Sequence, residues 1–253
     1  MSGGSVQSSV ASNGVCTIEF SHPASNSLPG KLLRELAATI TRCGEDAASS
    51  VIVLRSAGDR AFCAGASFDE LIAIETAGQG LEFFSGFALV INAMRTCPKL
   101  IIGRVQGKAV GGGVGLASAV DYCLATEHAS VKLSELAVGI GPFVVGPAVE
   151  RKIGTSAMSQ LAIDASSWRS AQWAAGHGLF AEVYPSVEEL DAGVAALADR
   201  LAESNPEAMR ELKTIFWAGT EDWDRLLSER AAISGRLVLS AFTRNAIAQF
   251  KAR

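Results

Sequence analysis

Apolar residues recur through residues 31–43 at Leu32, Leu33, Leu36, Ala37 and Ile40, a spacing that gathers them on one side of a helix. Just before, residues 15–20 read as a short strand and residues 23–29 as a polar loop. Val51-Ile52-Val53-Leu54 is a continuous apolar run, the pattern of a strand covered on both faces. Residues 56–60 turn the chain, and residues 68–73 and 81–94 read as helices around a Gly-containing loop. Residues 99–105 form another buried strand, and 121–126 and 130–133 two shorter ones. After Gly146 helical patterns dominate, over 146–153, 157–163, 170–175, 187–202, 206–217 and 220–250. Ser186 before Val187-Glu188-Glu189 gives a helix cap with acids in the first turn, and Asn205-Pro206-Glu207 is a comparable start. The expectation is an α/β protein: a disordered leader over 1–13, an α/β core over 14–180 and a helical region over 181–253.

Composition narrows the function. The 253 residues are 49% hydrophobic and 19% charged, enough for one large domain. The net charge of −4 and the lack of a basic stripe argue against nucleic acid. No apolar run approaches the ~18 residues of a membrane span. The Ser/Gly-rich start lacks the charge-then-apolar pattern of a signal peptide, so a cytoplasmic protein is expected. The five cysteines are scattered without a CxxC pair and are expected as reduced, buried thiols. His22, His128 and His177 lack ligand spacing, so no metal is expected; His22 and His128 are placed in loops.

Three stretches bear chemistry. In Ala109-Val110-Gly111-Gly112-Gly113-Val114-Gly115-Leu116, a strand-like segment gives way to a small-residue helix, and the glycines leave amide N–H groups facing outward at its start, where negative charge is favoured. The run is neither a GxxxxGK[ST] phosphate loop nor GxGxxG; taken by itself, it also fits a tight turn with close helix packing. In Arg60-Ala61-Phe62-Cys63-Ala64-Gly65-Ala66-Ser67-Phe68-Asp69-Glu70, Gly65 permits a close approach that can aim the Ala66 N–H into a cleft. In Lys132-Leu133-Ser134-Glu135-Leu136-Ala137-Val138, one carboxylate sits among apolar neighbours, where desolvation raises its pKa toward useful base strength. Ser134 has no His partner by motif, and Asp121 is expected to be structural. Trp168, Trp173, Trp217 and Trp223 are expected to pack the helical region or subunit contacts.

These stretches resemble the crotonase superfamily, the enoyl-CoA hydratase/isomerase family, over nearly the whole chain from Val15. His22-Pro23-Ala24-Ser25-Asn26-Ser27-Leu28 is similar to its first loop. Ala61-Phe62-Cys63-Ala64-Gly65-Ala66 and Gln106-Gly107-Lys108-Ala109-Val110-Gly111-Gly112-Gly113 are similar to its two oxyanion-hole motifs. Asp121 and Glu135 fall at its spacing, and Ser170-Ala171 and Gly178-Leu179 resemble its later helix and turn. The resemblance implies a crotonase-like spiral of ββα units with a helical C-terminal region, assembled as a trimer or dimer of trimers. It implies an acyl-CoA thioester substrate, with no cofactor beyond the coenzyme A of that substrate. By position, the backbone N–H groups of Ala66 and Gly112 would bind the thioester oxygen, Glu135 would be the acid/base, and Ala64, Ala66, Ser67, Phe68, Asp69 and Gly112 would line the substrate and CoA path.

Three departures bear on the reaction. The hydratases' first glutamate is Gly115 here, leaving Glu135 alone. The usual Pro-Gly-x-Gly-Gly run is Pro142-Phe143-Val144-Val145-Gly146, and the usual Asp after the first oxyanion Ala is Ser67. Asp69 and Glu70 are expected on a solvated helix face, with entry into the site as the alternative. A lone carboxylate suits 3-enoyl to 2-enoyl isomerisation better than hydration. A 2-enoyl-CoA hydratase acting on a branched or carboxylated substrate is the alternative within the family. A hydrolase or decarboxylase on the same framework, and a non-catalytic acyl-CoA-binding subunit, stand further off.

Overall fold

The computed structural model describes residues 3–251. The chain opens with β1 (Ser5–Val10), β2 (Val15–Ser21), α1 (Gly30–Glu45), β3 (Val51–Ser56), β4 (Ala61–Cys63), α2 (Phe68–Ile72) and α3 (Ala77–Thr96). It continues through β5 (Ile101–Val105), β6 (Lys108–Val110), α4 (Gly112–Ala119), β7 (Tyr122–Thr126), β8 (Ser130–Lys132) and a 3-10 turn over Leu136–Val138. Then come α5 (Gly146–Ile163), β9 (Arg169–Ser170), α6 (Ala171–Gly176), β10 (Glu182–Tyr184), α7 (Val187–Ala202), α8 (Pro206–Phe216), α9 (Trp223–Leu237) and α10 (Ala241–Lys251).

The strands form a large sheet in the order β1-β2-β3-β5-β7-β10 and a small one in the order β4-β6-β8-β9. Successive units give one strand to each sheet and then a helix or helical turn: β3-β4-α2, β5-β6-α4, and β7-β8 with the 3-10 turn. Within both sheets the strands of these units pair in parallel, so the chain winds as a spiral of ββα turns. β3 shows why the apolar run at 51–54 is continuous. Ile52 and Leu54 enter the main core, while Val51 and Val53 pack under Leu190, Val194 and Ala198 of α7.

Four features differ from the sequence expectations. Residues 5–10 of the expected leader are strand β1, paired antiparallel to β2 from Ser5↔Ser21 to Val10↔Cys16; Met1 and Ser2 lie outside the described residues. Its serines and glutamine carry little apolar signal, and the backbone ladder supplies the order instead. The large sheet runs past residue 180, because β10 adds in parallel to β7. The patterns at 146–153 and 157–163 join into α5 across a kink at Gly154. The pattern over 220–250 is two helices, α9 and α10, with Ser240 Oγ accepting the Thr243 N–H at the break. α9 docks on α3 where backbone meets backbone: a Cβ built on Gly80 would stand 2.7 Å from Gly235 Cα.

Candidate active site

Two backbone bends meet above the small sheet. The first follows β4. Gly65 takes φ +89°, a conformation that side chains other than Gly rarely adopt. Its carbonyl accepts the Leu28 N–H at 2.8 Å, tying the bend to the first loop. Asn26 secures that loop, its Nδ2 donating to the carbonyls of Ala57 and Ala61 at 2.9 Å each. The second bend follows β6. Gly111 takes φ +52° and donates its N–H to the Lys132 carbonyl at 2.9 Å. Gly112 then starts α4, so its N–H belongs to the first turn, which has no acceptor within the helix. The bends touch: a Cβ on Gly65 would lie 3.0 Å from Val110 O and 3.7 Å from Gly112 N. The Gly112 Cα in turn abuts the Phe87 ring, so that position has no room for a side chain.

Glu135 hangs over the second bend. A Cβ on Gly111 would stand 2.9 Å from Glu135 Oε1. The Glu135 carbonyl accepts the N–H groups of Val138 and Ile140, fixing the 3-10 turn, and α10 clamps that turn through Thr243 Oγ1 donating to Gly139 O at 3.0 Å. The residue as a whole is partly buried, yet Oε2 is shielded from solvent and has no hydrogen-bond partner among the described residues. Burial pushes the carboxyl pKa up to about 7, against a weaker lowering by its own backbone N–H. A carboxyl poised there exchanges protons readily near neutral pH.

Ala64, Ala66, Phe68, Gly112 and Glu135 all line one cavity of about 730 Å³ with mostly apolar walls. Ser67 and Asp69 do not line it. Ser67 is buried, and its Oγ caps α2 by accepting the Glu70 N–H. Asp69 is exposed in the first turn of α2, while Glu70 Oε2 accepts the Gly30 N–H at the start of α1. Gly115 lies outside the lining as well. A Cβ there would stand 2.6 Å from Val145 Cγ1, so an isopropyl group fills the space beside that position.

Asp121 lies in the fold's interior. It accepts from Lys213 Nζ at 2.6 Å, Trp217 Nε1 at 2.9 Å and the Ile101 N–H at 2.7 Å. Among the described residues no cluster of His, Cys, Asp and Glu has the arrangement of a metal site, and no helix is long and apolar enough to cross a membrane. All five cysteines are free and buried.

Among the lining residues that sequence reasoning did not place at the site are Trp168 and Lys132. Trp168, expected in the helical region or at subunit contacts, borders the cavity, because β9 sets it beside β8. Lys132 borders it too, since alternation along β8 turns Val131 into the core and Lys132 outward. The alternating apolar and polar residues at 130–133 carried that signal.

A family model described as enoyl-CoA hydratase/isomerase matches residues 10–246. The chain is 28% identical over 208 residues to carnitinyl-CoA dehydratase of Proteus mirabilis (strain HI4320), covering 82% of this chain and 78% of that one. It is 30% identical over 135 residues to the mitochondrial 3-hydroxyisobutyryl-CoA hydrolase of Homo sapiens, covering 51% of this chain and 35% of that one. The crystal structure of enoyl-CoA hydratase from Bacillus halodurans superposes with a TM-score of 0.88 at 19% identity, covering 96% of this chain and 99% of that one. The spiral of ββα units is thus the crotonase fold, and with the family model matched over most of its length, this chain belongs to the enoyl-CoA hydratase/isomerase family.

Proposed function

We propose that the chain is an acyl-CoA isomerase that moves a double bond from the 3- to the 2-position through an enolate. The amides of Ala66 and Gly112 hold the thioester oxygen. Glu135 removes a proton from C2; charge spreads over the thioester oxygen and C4; the same carboxyl returns the proton to C4. Fixed donors at such an oxygen contribute about 3–4 kcal/mol each in comparable sites. Here both are main-chain groups, held by the pairing of the two bends.

One observation carries the choice of reaction. Among the described residues Glu135 is the one carboxyl that lines the cavity, and Val145 fills the space beside Gly115 where a second would stand. One carboxyl suffices to move a proton between two carbons. Hydration also needs a group to orient water, and the apolar Val145 offers none.

The test is incubation with matched 3-enoyl-CoA and 2-enoyl-CoA, following conjugation absorbance and product mass. The expected result is a 2-enoyl product of unchanged mass from the first and no reaction with water from the second. Rapid gain of one water by the 2-enoyl ester would favour the hydratase reading, which the dehydratase name of the Proteus relative supports. Binding without turnover of either would favour an acyl-CoA-binding subunit. A paired change extends the test. Gly115→Glu with Val145→Gly is expected to introduce hydration, whereas Gly115→Glu alone, pressed against Val145, is expected to lose stability with no such gain.

A further inference from the structure

Lys132 and Lys108 approach the Trp168 ring, with Nζ 4.7 and 5.0 Å from its centroid. The register of the small sheet explains the grouping. Val110 pairs with Lys132, and Val131 with Arg169, so Val110, Lys132 and Trp168 form a row across β6, β8 and β9. Lys108 lies two residues before Val110 and projects from the same face. Val110, Lys132 and Trp168 all border the cavity that holds Glu135, as do Ser134 and Ser166. Among the described residues neither lysine has a carboxylate within ion-pair distance. Two ammonium groups therefore share one aromatic ring, which offsets part of their mutual repulsion and holds them together. In an otherwise apolar and acid-bearing cavity this is a pole of positive charge waiting for an anion.

We propose that Lys132, backed by Lys108 and Trp168, selects enoyl thioesters that carry a carboxylate on the acyl chain. The proposal rests on the acyl-CoA reading above. An anion on the substrate has two sources, the acyl chain and the phosphates of CoA. The Lys132 carbonyl accepts the N–H of Gly111, the residue next to the Gly112 amide, so its backbone lies beside the proposed thioester site. The nearest phosphate of CoA is separated from the thioester by the whole pantetheine arm, whereas a carboxylate on a short acyl chain lies within a few bonds of it. Proximity favours the acyl carboxylate. Ser134 and Ser166 add hydroxyl donors on the same wall.

The experiment compares a short enoyl-CoA ending in a carboxylate with its methyl ester, for the wild-type chain, Lys132→Gln and Lys132→Arg. The readouts are kcat/KM and, by calorimetry, Kd for the saturated, unreactive analogue of each. The wild type is expected to favour the carboxylate about tenfold or more, the effect of one charge-assisted hydrogen bond. Lys132→Gln is expected to collapse that ratio in both readouts, and Lys132→Arg to retain most of it. A wild-type ratio near one, or a ratio that survives Lys132→Gln, would overturn the proposal. So would an equal loss for both CoA esters that disappears with the corresponding pantetheine thioesters, since the lysines would then hold a phosphate. If the wild type turns over neither ester, the isomerase reading fails, and the calorimetric ratio still decides the role of Lys132.

Discussion

Replacing Glu135, the proposed acid/base, with Gln is expected to lower kcat/KM for the proposed isomerisation by about 10²–10⁴-fold, the usual contribution of such a group, while making the protein more stable above neutral pH. The two effects share one cause. Burial raises the carboxyl pKa to about 7, from 4.5. The folded state thus binds the Glu135 proton more tightly than the unfolded state does. That contribution to stability is fully present below about pH 4.5 and is lost as pH rises through about 7. Above that range the fold bears the cost of a buried carboxylate, up to about 3 kcal/mol at 1.36 kcal/mol per pKa unit. Gln has no such cost. Denaturant unfolding of wild type and Glu135→Gln should coincide at pH 4 and separate by pH 8, with the variant the more stable. The wild-type kcat/KM should rise with pH and level off above about 7, because the proposed shuttle starts from the ionised carboxyl. Equal stabilities at pH 8, or a rate that falls as pH rises through 7, would contradict the assignment.

Truncation of Lys213 to Ala is expected to destabilise the fold by about 3–5 kcal/mol, because it strands a buried carboxylate. Lys213 and Asp121 are 4% and 5% exposed, and their 2.6 Å contact joins α8 to the end of α4. Asp121 also holds Trp217 Nε1 and the Ile101 N–H, so one side chain links a helix of the C-terminal region to β5. From the other side Lys152 Nζ donates to the carbonyls of Val120 and Asp121, closing the end of the helix that begins with Gly112. A loss of this size is a large share of the roughly 5–15 kcal/mol that stabilises a domain. Asp121→Asn combined with Lys213→Met should recover much of it, since neither side chain then carries a charge. The check is the midpoint of chemical unfolding for the two variants. A loss below about 1 kcal/mol for Lys213→Ala would mean that the pair is solvated.

The residues most visible in the sequence were those whose local chemistry already differs from a generic turn or helix. Gly65 and Gly111 mark bends with positive φ, and their neighbours Ala66 and Gly112 open on the same cavity as Glu135. A lone acid in an apolar stretch was readable as a desolvated acid. Ser67 and Asp69, read from the sequence as substrate contacts, lie outside the cavity lining, because capping α2 and facing water both use the residue types that substrate contact would use. β1 escaped notice because an edge strand is ordered by its ladder, and serines carry little apolar alternation. Lys132 and Trp168 lie thirty-six positions apart and meet only through the β8–β9 pairing, a relation that no local pattern contains.

The contact between Gly115 and Val145 also bears on how such a protein can change over generations. An acid introduced at 115 by itself meets a methyl group at van der Waals overlap, and a glycine introduced at 145 by itself leaves a hollow in the core. Each single step is thus expected to weaken the protein before a second carboxyl is in place. A change of reaction through this pair would therefore need two coordinated mutations, each costly when made alone.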